Sequence, residues 1–198
     1  MINSKKTTNK KNGQYISVNE KLSNKNKIVL VGLMGSGKTS IGRRLAIRLE
    51  LPFSDSDDEI EKAADSSIED IFELLGEESF REGERRVIGR LLDGPPIVLA
   101  TGGGAFMDPK TRKIIAENGV SIWLKSDLDT LVKRTSKRKN RPLLKNKNHR
   151  EVLKHLMEVR YPIYQLADII INSLDVPAEE TLYQVIKSLD AHRSAEQK

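Results

Sequence analysis

The sequence predicts an α/β fold in three layers, a five-stranded parallel sheet flanked by helices on both faces. Two observations predict it. Short apolar runs alternate along the chain with longer stretches whose apolar residues recur at helical spacing. A glycine-rich loop joins the first such run directly to the first such stretch.

The first strand is Ile28-Val29-Leu30-Val31, and the helix after it spans about 38–50, with Ile41, Leu45, Ala46 and Leu49 on one side. A short strand at 52–54 precedes helices at 57–64 and 67–92, the second expected to break near Gly76. Strand 97–100, helix 108–118, strand 120–124 and helix 127–135 continue the alternation. Helix 149–166, strand 168–171 and helix 178–191 complete it. There is no internal repeat. Right-handed crossovers in such a sheet place ligands beyond the carboxyl ends of the strands.

At 198 residues the chain fits one domain, 27–198, behind a tail. Its formal net charge is +6, and residues 1–27 hold seven lysines against one acid, Glu20, so the excess belongs to the tail. The other 171 residues carry 27 basic and 27 acidic side chains. A charge so placed gives the domain no footprint for nucleic acid. Residues 1–26, rich in Lys, Asn, Ser and Thr, bury too little apolar surface to offset their ordering entropy and are expected to be disordered. The absence of cysteine excludes a disulfide framework and a thiolate metal site. No apolar run approaches the ~20 residues of a membrane span or forms a secretory signal, so the expectation is a cytoplasmic protein with no membrane partner.

The loop reads GLMGSGKTS, residues 32–40. Its spacing, Gly32, four residues, then Gly37-Lys38-Thr39, is that of a phosphate-binding loop in full. Glycines let successive N–H groups converge on an anion, and the helix that begins there adds the positive end of its dipole. Lys38 can reach the β- and γ-phosphates, and the Thr39 hydroxyl can ligate Mg²⁺.

Other strand ends supply further candidates. The second runs into Asp55-Ser56-Asp57, where one carboxylate can face a metal's water shell and the other an acceptor hydroxyl. The same residues can simply start a helix, since Ser56-x-x-Glu59 has capping-box spacing. The third strand ends in Thr101-Gly102-Gly103-Gly104, which suits close approach of a small ligand to the backbone or a flexible turn. Arg81 lies on a helical stretch where it can bind an anion or pair with Glu77 and Glu84. From Lys133 to Arg150 there are nine basic residues and no acid. A lid over phosphates at about 136–150 accounts for them better than RNA, because no aromatic residue there could stack a base.

Together the stretches GLMGSGKTSIGRRLA (32–46), FSDSD (53–57), IEDIFELLGEESFREGE (68–84), TGGGA (101–105), RPLL (141–144) and EVRYPIYQLAD (158–168) resemble the shikimate kinase family, from Lys27 to about Ala191. The resemblance implies the P-loop fold of the nucleoside monophosphate kinases, with a lid. It also implies transfer of the ATP γ-phosphoryl group to the 3-hydroxyl of shikimate, one Mg²⁺ ion and a monomer. By motif, Asp57, Arg81, Gly103 and Arg160 would hold shikimate, with Asp57 as base. Gly35, Ser36, Gly37, Lys38, Thr39 and Ser40 would cradle the phosphates. Arg141 would close over them, Lys38 and Arg141 acting with Asp57 in catalysis. Thr39 would ligate the metal, Asp55 would orient its waters, and Arg134 would lie against the adenine. Where some members carry a further nucleotide-contacting arginine after the last strand, this chain reads Asn172-Ser173-Leu174-Asp175.

Overall fold

The computed structural model describes residues 27–136 and 148–196. At its centre is β1 (Ile28–Val31), whose four apolar side chains are all fully buried, as a strand covered on both faces requires. It pairs in parallel with β3 (Val98–Ala100) on one side and β4 (Val120–Lys125) on the other. Beyond these lie β2 (Phe53–Asp55) and β5 (Ile169–Asn172), giving five parallel strands in the order β2-β3-β1-β4-β5.

Alternation along β1 divides the core. Ile28 and Leu30 face α1 (Lys38–Leu49) and α7 (Ala178–Glu196), which contribute Ile41, Leu45, Leu182, Val185 and Leu189. Val29 and Val31 face the other layer, with Ile88 of α3 (Ile68–Asp93), Ile115 of α4 (Pro109–Asn118), Leu131 of α5 (Leu128–Ser136), and Leu153 and Tyr164 of α6 (His149–Tyr164). Each such fully buried side chain stabilises the fold by roughly 1.5–3 kcal/mol. A third, smaller cluster joins Ile60 of α2 (Ser56–Ala64) to Ile71 and Phe80 of α3, apart from the sheet.

The expected elements are present with small shifts of their ends; β2 closes at Asp55, one residue later than expected. A 3-10 turn at Ala105–Met107 was not foreseen. The long helix bends where expected, at Gly76 (φ 77°, ψ 172°). A side-chain carbon there would meet nothing within 4 Å, so the backbone angle alone calls for glycine. The expected disordered tail (1–26) and nearly all of the expected lid, Arg141 included, lie outside the described residues.

Candidate active site

The phosphate loop connects the carboxyl end of β1 to the start of α1. Gly37 occupies the helix N-cap position in the left-handed region (φ 99°) and offers no capping side chain. The first N–H groups of α1, which have no partner within the helix, are thereby left for a ligand. Gly35 is needed for space: a side-chain carbon would lie 2.9 Å from Thr135 Cγ2. Lys38 Nζ donates to the carbonyls of Gly32 (2.8 Å) and Leu33 (3.0 Å), holding its ammonium over the loop. Ser36 is buried, and its hydroxyl has no partner among the described residues, as suits an anion cradle.

Next to the loop, the Thr39 hydroxyl donates to Asp55 Oδ2 at 2.9 Å. Asp55 Oδ1 accepts from the Asp57 N–H at 3.2 Å, so Asp55 is the cap of α2. Ser56, which has capping-box spacing in the sequence, does something else. Its buried hydroxyl accepts from the Gly102 N–H at 3.0 Å and ties the glycine triplet to α2.

That triplet leads into a turn at Gly103 and Gly104 and has no unusual backbone angles. All its positive-φ glycine neighbours lie elsewhere, at 32, 35, 37 and 76. Each of the three glycines instead makes room for a functional side chain. A carbon added at Gly102 would lie 2.6 Å from Asp57 Oδ1 and 2.9 Å from Glu84 Oε1. At Gly103 it would lie 3.2 Å from Arg160 Nη1, and at Gly104 it would lie 2.3 Å from Arg81 Nη2. The backbone at the end of β3 is thus encircled by two carboxyls and two guanidiniums.

Arg81 reaches this point from α3. It donates to Glu84 Oε2 (2.7 Å) and Glu77 Oε1 (3.3 Å), so the helical pairing and the site position coexist, and it lies over Phe80 at 5.1 Å. Arg160 comes from α6 and donates to the Gly103 carbonyl at 2.8 Å. Tyr164, one turn further on, donates its hydroxyl to the same carbonyl. Glu84 and Tyr164 are site residues that sequence reasoning missed. The signals were faint: each lies three or four residues from an arginine already singled out.

Electrostatics separates the carboxylates. Burial and the neighbouring negative charge of Asp55 push the Asp57 carboxyl up to about 6, against the pull of Lys38. Burial likewise raises Glu84 above the usual carboxylate range, outweighing the pull of Arg81. Asp57 therefore has the affinity for a proton expected of a general base, beside two cations that can grip an anionic acceptor.

Arg134, on α5, lies on the opposite flank of the loop and donates to Ser173 Oγ (3.1 Å) and the Leu174 carbonyl (2.5 Å). Among the described residues there is no cluster of three or more His, Cys, Asp or Glu placed to hold a metal. Hard oxygen donors at the loop, the Thr39 hydroxyl and Asp55 carboxylate, do suit a magnesium ion that keeps most of its waters. None of the described helices is long and apolar enough to cross a membrane.

Comparisons with known proteins give the family. Residues 34–190 match the family model described as shikimate kinase. The shikimate kinase of Paramagnetospirillum magneticum is 60% identical over 162 residues, covering 82% of this chain and 83% of that one. The shikimate kinase of Brucella canis is 51% identical over 170 residues, 86% of this chain and 85% of its own. Among solved structures, shikimate kinase from Acinetobacter baumannii in complex with shikimate superposes with a TM-score of 0.79 at 36% identity, over 83% of this chain and 93% of the other. By that family match and those identities over most of its length, the chain belongs to the shikimate kinase family.

Proposed function

We infer that this enzyme transfers the γ-phosphoryl group of ATP to the 3-hydroxyl of shikimate, yielding ADP and shikimate 3-phosphate in the synthesis of chorismate and aromatic amino acids. The observation that carries the reading is the convergence of Asp57, Arg81 and Arg160 on Gly102-Gly103-Gly104, at the same end of the sheet as the phosphate loop. A small acceptor with one carboxylate and several hydroxyls fits that set. The two guanidiniums take the carboxylate, and Asp57 and the Gly103 N–H take hydroxyls.

In the reaction, Asp57 accepts the proton of the attacking hydroxyl, its raised proton affinity matching that task near neutral pH. The N–H groups of residues 35–40 and the Lys38 ammonium bind the phosphates and stabilise charge as it moves between oxygens. Thr39 and, through water, Asp55 would hold Mg²⁺, which supplies charge neutralisation on the phosphate oxygens. Arg134 lies against the adenine, and Arg141 acts on the phosphates from the segment outside the described residues. The enzyme works as a monomer on small molecules in the cytoplasm, with neither nucleic acid nor membrane as partner.

The test is ADP release from Mg-ATP with shikimate, quinate, gluconate, a nucleoside monophosphate or no acceptor. Turnover that needs shikimate is the expected result. Equal ADP release without acceptor would make the chain an ATPase or switch and overturn the acceptor reading.

A further inference from the structure

The loop that follows β5, residues 173–177, carries no arginine, and it opens with a buried serine whose polar groups are all engaged. The Ser173 N–H donates to the Lys125 carbonyl (2.6 Å) at the end of β4, and its own carbonyl accepts from Ser126 Oγ (2.9 Å). Its hydroxyl donates to the carbonyl of Ser36 in the phosphate loop (2.9 Å) and accepts from Arg134 Nη1 (3.1 Å). Ser173 is only 2% exposed, so these bonds form with little competition from water.

The residues that follow complete a clamp on α5. Arg134 Nη2 donates to the Leu174 carbonyl (2.5 Å), and Lys133 Nζ donates to Asp175 Oδ2 (2.5 Å). The guanidinium of Arg134 is therefore held by consecutive residues of the post-β5 loop and, at 3.5 Å, by the Gly35 carbonyl, while the same serine fixes the phosphate loop. A side-chain carbon on Gly37 would lie 3.9 Å from Ser173 Oγ and 4.0 Å from Arg134 Nη1, which puts both groups against the loop's last glycine.

We propose that Ser173 is a positioning residue for the nucleotide: its hydroxyl, anchored on the Ser36 carbonyl, accepts from Arg134, so that the arginine plane is set at a fixed spacing from the phosphate cradle before ATP arrives. The serine touches no substrate; it acts through Arg134. This rests on the reading of Arg134 as the adenine contact, and the experiment separates the two. An orientation preset in this way lowers the ordering cost of binding.

Calorimetric titration of ADP into wild type, Ser173→Ala, Arg134→Ala and the double variant, with shikimate titrated in parallel, tests it. Ser173→Ala is expected to weaken ADP about tenfold while shikimate affinity stays within about twofold, the size expected from losing one hydrogen bond to a charged group. Ser173→Thr, which keeps the hydroxyl, should restore most of the ADP affinity. In the Arg134→Ala background the serine replacement should have little further effect. If Arg134→Ala leaves ADP binding unchanged, the adenine reading of Arg134 falls and the proposal with it. If Arg134→Ala weakens ADP but Ser173→Ala does not, the adenine reading survives and Ser173 has no positioning role. Equal weakening of ADP and shikimate by Ser173→Ala, or a full effect in the Arg134→Ala background, would show that the serine only stabilises the fold, and would overturn the proposal.

Discussion

The carboxylates of Asp57 and Glu84 converge on one backbone position: from a carbon placed on Gly102, Asp57 Oδ1 is 2.6 Å away and Glu84 Oε1 2.9 Å away. Burial raises both carboxyls above their usual range, and the charge of Asp57 adds to the rise at Glu84. Arg81, bonded to Glu84 at 2.7 Å, favours the ionised form of Glu84 against that rise.

Asp57 gives the first prediction. As a base it must be ionised, so kcat/KM should fall about tenfold per pH unit below about pH 6, where its carboxyl titrates. Asp57→Asn should lower turnover ~10²- to 10⁴-fold. Stability should move the other way. The folded carboxyl binds its proton more tightly than the unfolded one, so Asp57 favours the fold fully below about pH 4, and that contribution is lost as pH rises through about 6. Asn carries no charge to bury, and at pH 8 the variant should be more stable by up to about 3 kcal/mol. A variant with near-normal kcat, or one less stable than wild type at pH 8, would refute this role.

Much of this site is legible in the sequence because its parts are contiguous. A phosphate loop declares itself in eight residues, with strand before and helix after. The Asp55-Ser56-Asp57 stretch is different, because its meaning depends on one residue of register. With β2 ending at 54, Ser56 has the spacing of a cap; with β2 ending at 55, Asp55 caps the helix and Ser56 binds the Gly102 N–H. The glycine triplet shows the opposite case. Its importance is visible in sequence, but its reason is not, since the bulk it avoids comes from Asp57, Glu84, Arg160 and Arg81 on three separate helices. Ser173 is invisible for the same reason: all four of its partners come from β4, the loop behind it, the phosphate loop and α5.

Asp108 gives the second prediction. It caps α4 and bridges to α3, the helix that carries Arg81 and Glu84. One oxygen, Oδ2, accepts from Arg85 Nε (2.8 Å), the Thr111 hydroxyl (2.8 Å) and the Thr111 N–H (3.1 Å). Burial pushes its carboxyl up, but the bonds from Arg85, Thr111 and the Lys110 N–H outweigh it and bring it down to about 2. The stability it confers is therefore present above about pH 4 and lost as pH falls towards 2. Asp108→Asn keeps a capping side chain but removes the charge that meets Arg85. Denaturant unfolding at pH 7 should show a loss of roughly 1–2 kcal/mol, narrowing steadily below pH 5. A gap that stays constant down to pH 3 would mean that the charge contributes nothing.

Gly104 gives the last prediction, and it asks whether a glycine serves its own backbone or another residue's side chain. Its backbone is ordinary right-handed helical (φ −96°, ψ −20°), a conformation that alanine adopts freely. Space is the obstacle: an alanine methyl would lie 2.3 to 2.6 Å from the Arg81 guanidinium, which must then move. Moving it breaks the 2.7 Å bond to Glu84 and withdraws a cation from the acceptor's carboxylate. Gly104→Ala should therefore raise the Kd for shikimate about 10- to 100-fold, near the loss expected for a charge-assisted pair, while ADP affinity changes little. Arg81→Ala should do the same, and the double variant should be no worse than Arg81→Ala alone, because the methyl has nothing left to displace. Additive losses in that cycle would mean that the methyl obstructs the acceptor itself, and that the lack of a side chain at Gly104 serves the ligand directly rather than Arg81.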